Sequence, residues 1–238
     1  TAEALGVAPA SEITDRIEAM GLQVGDFYSS SSAEMMASIS TEERDRGAIM
    51  ADVGYLSTEI MAMEGDALVF HEILPVGGGH FTADIAYGLS VTMYIAEQVK
   101  RRYAFGADVP VGLIEVQDEN GRSLTYAREQ VADIVEPRMD ELAEMLSAAI
   151  EKVPILLQTR TTLYLSGGGL SMMRGGRESL SAALSRPIKV PQLMLGNQYN
   201  PTFNAALSLL EVVFEILSED AKPEGAGVLG FLKKLFTK

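Results

Sequence analysis

The sequence has 238 residues, 47% of them hydrophobic, and 33 acidic against 19 basic side chains give a formal charge of −14. A chain this long and this apolar can bury a large core or two smaller ones, which excludes intrinsic disorder, while its negative balance is a poor match for nucleic-acid phosphates. With no cysteine and two histidines, His71 and His80, disulfides and thiolate metal sites are excluded and a histidine zinc site is not expected.

No signal peptide opens the chain, and no apolar run approaches the roughly 20 residues needed to cross a bilayer. The absence of cysteine fits a cytoplasmic protein. The chain begins at Thr1 rather than methionine, so upstream residues are expected to be missing from it.

SEITDRIEAM (11–20) reads as a short helix capped by Ser11 and stopped by Gly21, and LQVGDFY (22–28) as a strand. Ser29 to Ser32 then precede a helix through Met35 and Met36 that should end near Ser40. From Gly47 the pattern changes to three short apolar runs, GAIMADVG (47–54), TEIMAM (58–63) and ALVFHEIL (67–74). Their short connections, with EGD at 64–66 as a tight turn, predict an antiparallel meander. Gly77–Gly79 close it, and two helical segments follow, HFTADIAYGL and TMYIAEQVKRRYAF.

GLIEV (112–116) can pair with residues near 122–126 across the DENG turn. A long helix is expected from about Arg128 to Lys152, with Ile134, Met139, Leu142, Met145, Leu146 and Ile150 near its apolar stripe. Pro137 should kink it or start a second helix. TTLYLS (161–166) reads as a strand running into Gly167–Gly169 and then a helix, and Arg186–Val190 as a short strand. NPTFNAALSLLEVVFEIL forms an apolar helix with Pro201 in its first turn. Residues 218–227, rich in acid, Pro and Gly, read as a linker, and the chain has no fixed-period repeat.

Four segments carry candidate chemistry. In ADVGYLST (51–58), Asp52 can hold metal-bound water, Gly54 lets backbone approach a phosphate, and Ser57 and Thr58 can donate to its oxygens; an ordinary hairpin would also read this way. In LSGGGLS (165–171) a glycine run between strand and helix suits an anion or nucleotide, although it matches neither a P-loop nor a dinucleotide fingerprint, and a plain turn remains open. In AEQVKRRY (96–103), Glu97, Lys100 and Arg101 share a helix face that can grip an adenosine or simply be a solvated ion-paired surface. His80 reads as structural, since nothing resembles a nucleophile elbow.

The fourth is the end of the chain. Val228, Leu229, Phe231, Leu232, Leu235 and Phe236 fall on one side of a short helix, with Lys233, Lys234 and Lys238 toward the other side or the end. This pattern suits an amphipathic helix lying in a membrane surface, where each lysine adds roughly 1 kcal/mol near anionic lipid. A helix docked on the protein's own core is the alternative.

In this order the motifs resemble the second half of the actin, sugar-kinase and heat-shock-chaperone ATPase fold. ILPVGGGHFTADIAYGL, IVEPRMDEL (134–142) and NPTFNAALSLL (200–210) resemble segments of the FtsA family. The resemblance implies an α/β, actin-like (ribonuclease H-like) ATPase fold, incomplete at the N-terminus, with a C-terminal amphipathic helix. Residues 1–28 would be the remnant of an inserted subdomain, and 29–45 with 201–217 would return to the first actin-like domain. Residues 46–108 with 161–200 would form the lower nucleotide-binding subdomain, and 109–160 a small upper subdomain that binds FtsZ. A linker at 218–227 would lead to the membrane-targeting helix 228–238.

It further implies that ATP and Mg2+ bind at Asp52, Gly54, Ser57, Thr58, Glu97, Lys100, Arg101, Gly167, Gly168 and Gly169. Tyr55 and Leu56 stand where the family often has glycines, and the first phosphate loop lies outside this chain, so at most a weak ATPase is expected. The implied partners are the FtsZ C-terminal tail, further copies of the chain in an actin-like filament, and an anionic membrane surface, at the cytoplasmic face of the division site. A sugar or small-acid kinase, or a pilus-assembly or chaperone-like actin homologue, is the alternative within the superfamily.

Overall fold

The meander forms as its apolar runs and turns predict: β1 (Ala48–Val53), β2 (Thr58–Glu64) and β3 (Ala67–Leu74) pair antiparallel in sequence. The computed structural model describes residues 7–25, 27–106, 112–154, 161–191 and 201–219. β6 (Thr162–Ser166) joins β1 in parallel, and β7 (Ile188–Lys189) joins β6, so the sheet order is β3-β2-β1-β6-β7. The central β1 is almost wholly buried, which explains its continuous apolar run.

The two-residue period of the strands sorts their side chains onto two faces. Ile49, Ala51, Val53, Ile60, Ala62, Leu163 and Leu165 enter the larger core. That core is completed by α4 (Gly78–Leu89), α5 (Met93–Arg102) and α6 (Arg128–Ile150), with the smaller α7 (Gly168–Ser171) and α8 (Gly176–Ala183). Ala48, Met50, Met61, Met63 and Tyr164 face the other way, against Met35 of α2 (Ser30–Ser38) and Ile39 at its C-cap, after which the short α3 (Thr41–Asp45) leads into β1. α9 (Asn204–Glu219) packs on α2. The side chain of Ser29 caps α2 by accepting from the Ser32 amide at 3.3 Å, so the four serines start a helix.

The hairpin of β4 (Leu113–Gln117) and β5 (Ser123–Ala127) forms where expected and runs directly into α6. Asp118 Oδ1 closes its turn by accepting from the amides of Asn120 and Arg122, both at 2.8 Å, and Gly121 supplies the positive φ. α4 meets α6 at Gly88, where an added Cβ would lie 2.5 Å from Ile134 Cδ1. Arg138 of α6 grips Asp84 of α4 with two hydrogen bonds.

Several expectations are corrected. The first helix, α1, starts earlier, at Val7, and ends at Ala19 with Gly21 at φ +79°. Residues 22–25 and 27–28 form no strand: Leu22 and Phe27 are exposed, and neither segment joins either described sheet. The helix at TMYIAEQVKRRYAF stops at Arg102, and the chain turns extended at Tyr103. Extended backbone puts Tyr103 and Phe105 on the same side, where their rings meet edge to face 5.0 Å apart in the core.

Nor does Pro137 divide α6, which runs unbroken from Arg128 to Ile150. Pro137 and Asp133, whose carbonyl would have received the missing bond, both lie on the exposed side, where water can satisfy it. The buried stripe of α6 is Val131, Val135, Met139, Leu142, Leu146 and Ile150; Ile134 and Met145 flank it, partly buried. Ser218 and Glu219, expected in a linker, belong to α9, and the rest of that linker and 228–238 lie outside the described residues. Among the described residues no helix is long and apolar enough to cross a membrane.

Candidate functional site

Three glycine-bearing loops from distant parts of the chain meet at the ends of β1 and β6. The Gly78 amide donates to the Gly54 carbonyl at 2.8 Å, and the Gly79 amide to that of Tyr55 at 2.6 Å. A Cβ on Gly78 would lie 2.6 Å from Gly169 Cα, and one on Gly169 would lie 2.2 Å from the Gly54 oxygen. Such distances admit no side chain, so PVGGGH, ADVG and SGGG are one three-way backbone junction. Gly167, at φ +81°, passes so close to Asp52 that a Cβ would be 2.1 Å from Oδ1. α7 spans four residues, so its glycines matter here through close packing rather than through a long helix dipole.

Beside this junction lies a cavity of about 360 Å3, within the range of small-molecule sites. One wall carries Asp52 and Glu34, the glycine loops form the back, and α5 supplies the opposite wall with Glu97, Lys100 and Arg101. Tyr55, Pro201, Thr202 and Ala205 complete it. Of the residues expected to bind nucleotide, Asp52, Gly54, Glu97, Lys100, Arg101 and Gly167 to Gly169 all reach this cavity. Ser57 and Thr58 do not. Thr58 is fully buried and its hydroxyl donates to the Val76 carbonyl at 2.7 Å, while the Ser57 carbonyl accepts from the Gly54 amide at 2.9 Å. The Ser57 bond closes the β1–β2 turn, and the Thr58 bond ties the start of β2 to the chain just beyond β3.

The α5 wall is internally neutralised. Lys100 is buried, and its Nζ donates to the Gly78 carbonyl at 3.0 Å and Thr82 Oγ1 at 2.9 Å and pairs with Glu97 Oε2 at 2.6 Å. Thr82 also donates to Glu97 Oε2 at 2.6 Å, and Arg101 Nε reaches Oε1 at 2.8 Å. Burial alone would raise the Glu97 carboxyl, but the bonds from Lys100, Thr82 and Arg101 outweigh it and hold it below its ordinary value. Lys100 therefore ties α5 to the start of α4, and among the described residues lining the cavity Arg101 is the largely exposed cation.

The opposite wall is different. Asp52, Glu59 and Ser166 occupy one row of the sheet, since Asp52 is in register with both Glu59 and Ser166, and all three face α2. Glu34 of α2 is fully buried above them and accepts from the Ser166 hydroxyl through Oε1; among the described residues its Oε2 has no hydrogen-bond partner. Burial, reinforced by Glu59, pushes Asp52 up to about 6. Burial pushes Glu34 up to about 7, with Asp52 and Glu59 adding to the rise and bonds from Ser166 and Asn204 opposing it.

Sequence reading missed Glu34, Thr202 and Tyr55. For Glu34 a signal was present: it is a lone carboxylate in the otherwise apolar run AEMMA of α2, where Ala33 and Met35 are buried beside it. His80 is structural as expected, its Nδ1 accepting from the Gly77 amide at 3.1 Å.

The model of the family described as "Cell division protein FtsA" matches residues 49–208, more than half of the chain. The chain belongs to the FtsA family. It is 28% identical over 201 residues to cell division protein FtsA of Pseudomonas aeruginosa, covering 80% of this chain and 48% of that protein. The FtsA of Bacillus subtilis is 24% identical, with 82% of this chain and 45% of that protein covered. The chain thus spans about half the length of the FtsA relatives it matches. Among solved structures, MreB5 of Spiroplasma citri bound to ADP aligns with a TM-score of 0.72 at 15% identity, over 90% of this chain and 67% of that one. The fold is accordingly the actin-like ATPase fold expected from the motif order, and the chain is an actin-like member of a cell division family.

Proposed function

We propose that this FtsA-family chain binds ATP in the cavity between α5 and the β1–α2 wall, assembles with further copies of itself, and tethers FtsZ filaments to the cytoplasmic membrane at the division site. The observation that carries the nucleotide reading is convergence. Three segments spread over more than a hundred residues of chain, ADVG, EQVKR and SGGG, bring their expected contact residues to a single cavity. Arg101 offers a guanidinium for the adenine, Glu97 a carboxylate for ribose hydroxyls, and the glycine loops an approach for phosphates.

The donor set at Asp52 suits magnesium held through water. Its carboxylate is a hard oxygen ligand, and among the described residues no group of three or more acidic or histidine side chains forms a protein cage for a metal. Mg2+ would supply charge neutralisation between the phosphates and this acidic wall. FtsZ would bind through the region near 109–160, and residues 228–238 would hold the membrane surface.

The test is recruitment of fluorescent FtsZ to anionic vesicles by the chain with and without residues 228–238, alongside Mg-ATP binding by the wild type and by Asp52→Ala. Tail-dependent recruitment and nucleotide binding weakened by D52A support the reading. Vesicle binding that survives the deletion would sink the tether, and vesicle binding without FtsZ would favour another actin-like adaptor. Phosphorylation of a small sugar or acid would point to a kinase instead.

A further inference from the structure

One bulky side chain stands at the glycine junction. Tyr55 follows Gly54 directly, and its carbonyl accepts from the Gly79 amide at 2.6 Å. Its ring lies against Gly79, where an added Cβ would be 2.9 Å from both Cε1 and Cζ. The Lys100 ammonium stands 5.8 Å from the ring centroid, within cation–π range. A backbone bond, a neighbour without a side chain and a cation therefore hold the ring in place.

Neither core packing nor the turn accounts for an aromatic residue here. Tyr55 is 55% exposed and belongs to neither buried apolar cluster, yet it lines the cavity. The turn itself is closed by the backbone bond from the Gly54 amide to the Ser57 carbonyl, which needs no ring.

The position of the ring along the cavity gives it a direction of action. Glu97 and Arg101 mark the end suited to adenosine, and the glycine loops with Asp52 mark the end suited to phosphates and magnesium. Tyr55 belongs to the second end, since it continues one glycine loop and rests on another. Among the described residues that line this end, the cation is Lys100, which is buried and already holds the Gly78 carbonyl, Thr82 and Glu97. Asp52 and Glu34 face it as acids. An added phosphate therefore meets a ring and negative charge rather than a new cation.

We propose that Tyr55 is a specificity-determining residue whose ring occupies the space into which a lengthening phosphate chain would extend, so that the cavity favours nucleoside mono- and diphosphates over the triphosphate. This rests on the nucleotide reading of the cavity and adds to it a limit on phosphate number. A third phosphate must turn the ring away from Gly79 and Lys100, and it brings further charge toward the acidic wall.

The experiment is calorimetry of the whole chain with AMP, ADP and ATP, each with Mg2+, using wild type, Tyr55→Phe and Tyr55→Ala. The wild type should bind ADP about tenfold more tightly than ATP, the fold-change that displacing a packed ring implies. Y55F keeps the ring and should keep that ratio. Y55A opens the space and should tighten ATP about tenfold while leaving AMP and ADP nearly unchanged. Tyr55→Trp enlarges the ring and supplies the opposite sign, weaker ATP with AMP unchanged.

Tighter binding of ATP than of ADP by the wild type would overturn the role of Tyr55. So would an ATP-to-ADP ratio that Y55A leaves unmoved, even with a lowered Tm, because the ring would then only steady the turn. Equal weakening of all three nucleotides in Y55A would make the ring a stacking platform for the base and sink the proposal too. No binding of any adenine nucleotide by wild type or Y55A would instead overturn the assignment of the cavity.

Discussion

The two walls of the cavity carry the same kind of residue in opposite states. On α5, Glu97 receives bonds from Lys100, Thr82 and Arg101 and is held below its ordinary pKa. On α2, Glu34 has one hydroxyl and one amide for company, two carboxylates nearby and an unpartnered oxygen, and is pushed up to about 7. Partners rather than residue type decide the outcome. The paired wall is structural in its interior and offers one exposed guanidinium, while the unpaired wall buries its carboxyls at a desolvation cost.

The glycine junction holds both walls in place, so breaking it should erase the comparison. Gly169→Val has no room beside the Gly54 carbonyl, and a loss of more than about 3 kcal/mol, or outright failure to fold, is expected in urea denaturation. Lys100→Met removes the buried cation of the paired wall with its bonds to the Gly78 carbonyl, Thr82 and Glu97; a destabilisation of about 2–4 kcal/mol should follow in the same assay. A cost below about 1 kcal/mol would show that the α5 network is looser than its geometry.

E34Q should act in the opposite direction. Because the folded pKa of Glu34 lies above its ordinary value, the protonated group's contribution is fully present below about 4.5 and is lost as pH rises through about 7. Replacing it should leave stability nearly unchanged at pH 4 and raise it at pH 8 by on the order of 1–3 kcal/mol, read as a pH-dependent shift in Tm. A gain equal at both pH values would mean that Glu34 does not titrate as described. The smallest effect belongs to Arg101→Ala, within about 0.5 kcal/mol of wild-type stability because its side chain is largely exposed, yet weakening ATP binding several-fold. That split between stability and binding would mark Arg101 as the ligand-facing member of its wall.

Much of this was legible in the sequence, and unevenly so. The meander, the β4–β5 hairpin, α4, α6 and the strand ahead of SGGG follow from alternation, turn residues and apolar spacing. The α5 face followed from the spacing of Glu97, Lys100 and Arg101, because partners three and four residues apart meet on one helix whatever else the fold does. The strand expected at 22–28 failed because a strand requires a neighbour, which local pattern does not supply. Thr58 was expected to reach a ligand, but its hydroxyl turned inward to Val76, a partner 18 residues away.

What the sequence determined by itself, then, is most of what local period and backbone freedom govern: the meander, the hairpin and its turn, the order of motifs that points to the family, and the ion-paired face of α5. Tertiary structure alone decided which glycine loops touch, which hydroxyls remain free, and that Glu34 meets Ser166 across 132 residues of chain. Desolvation and charge depend on what surrounds a group in three dimensions. The acid of α2 and the acid of α5 therefore read alike in the sequence and differ in the folded protein.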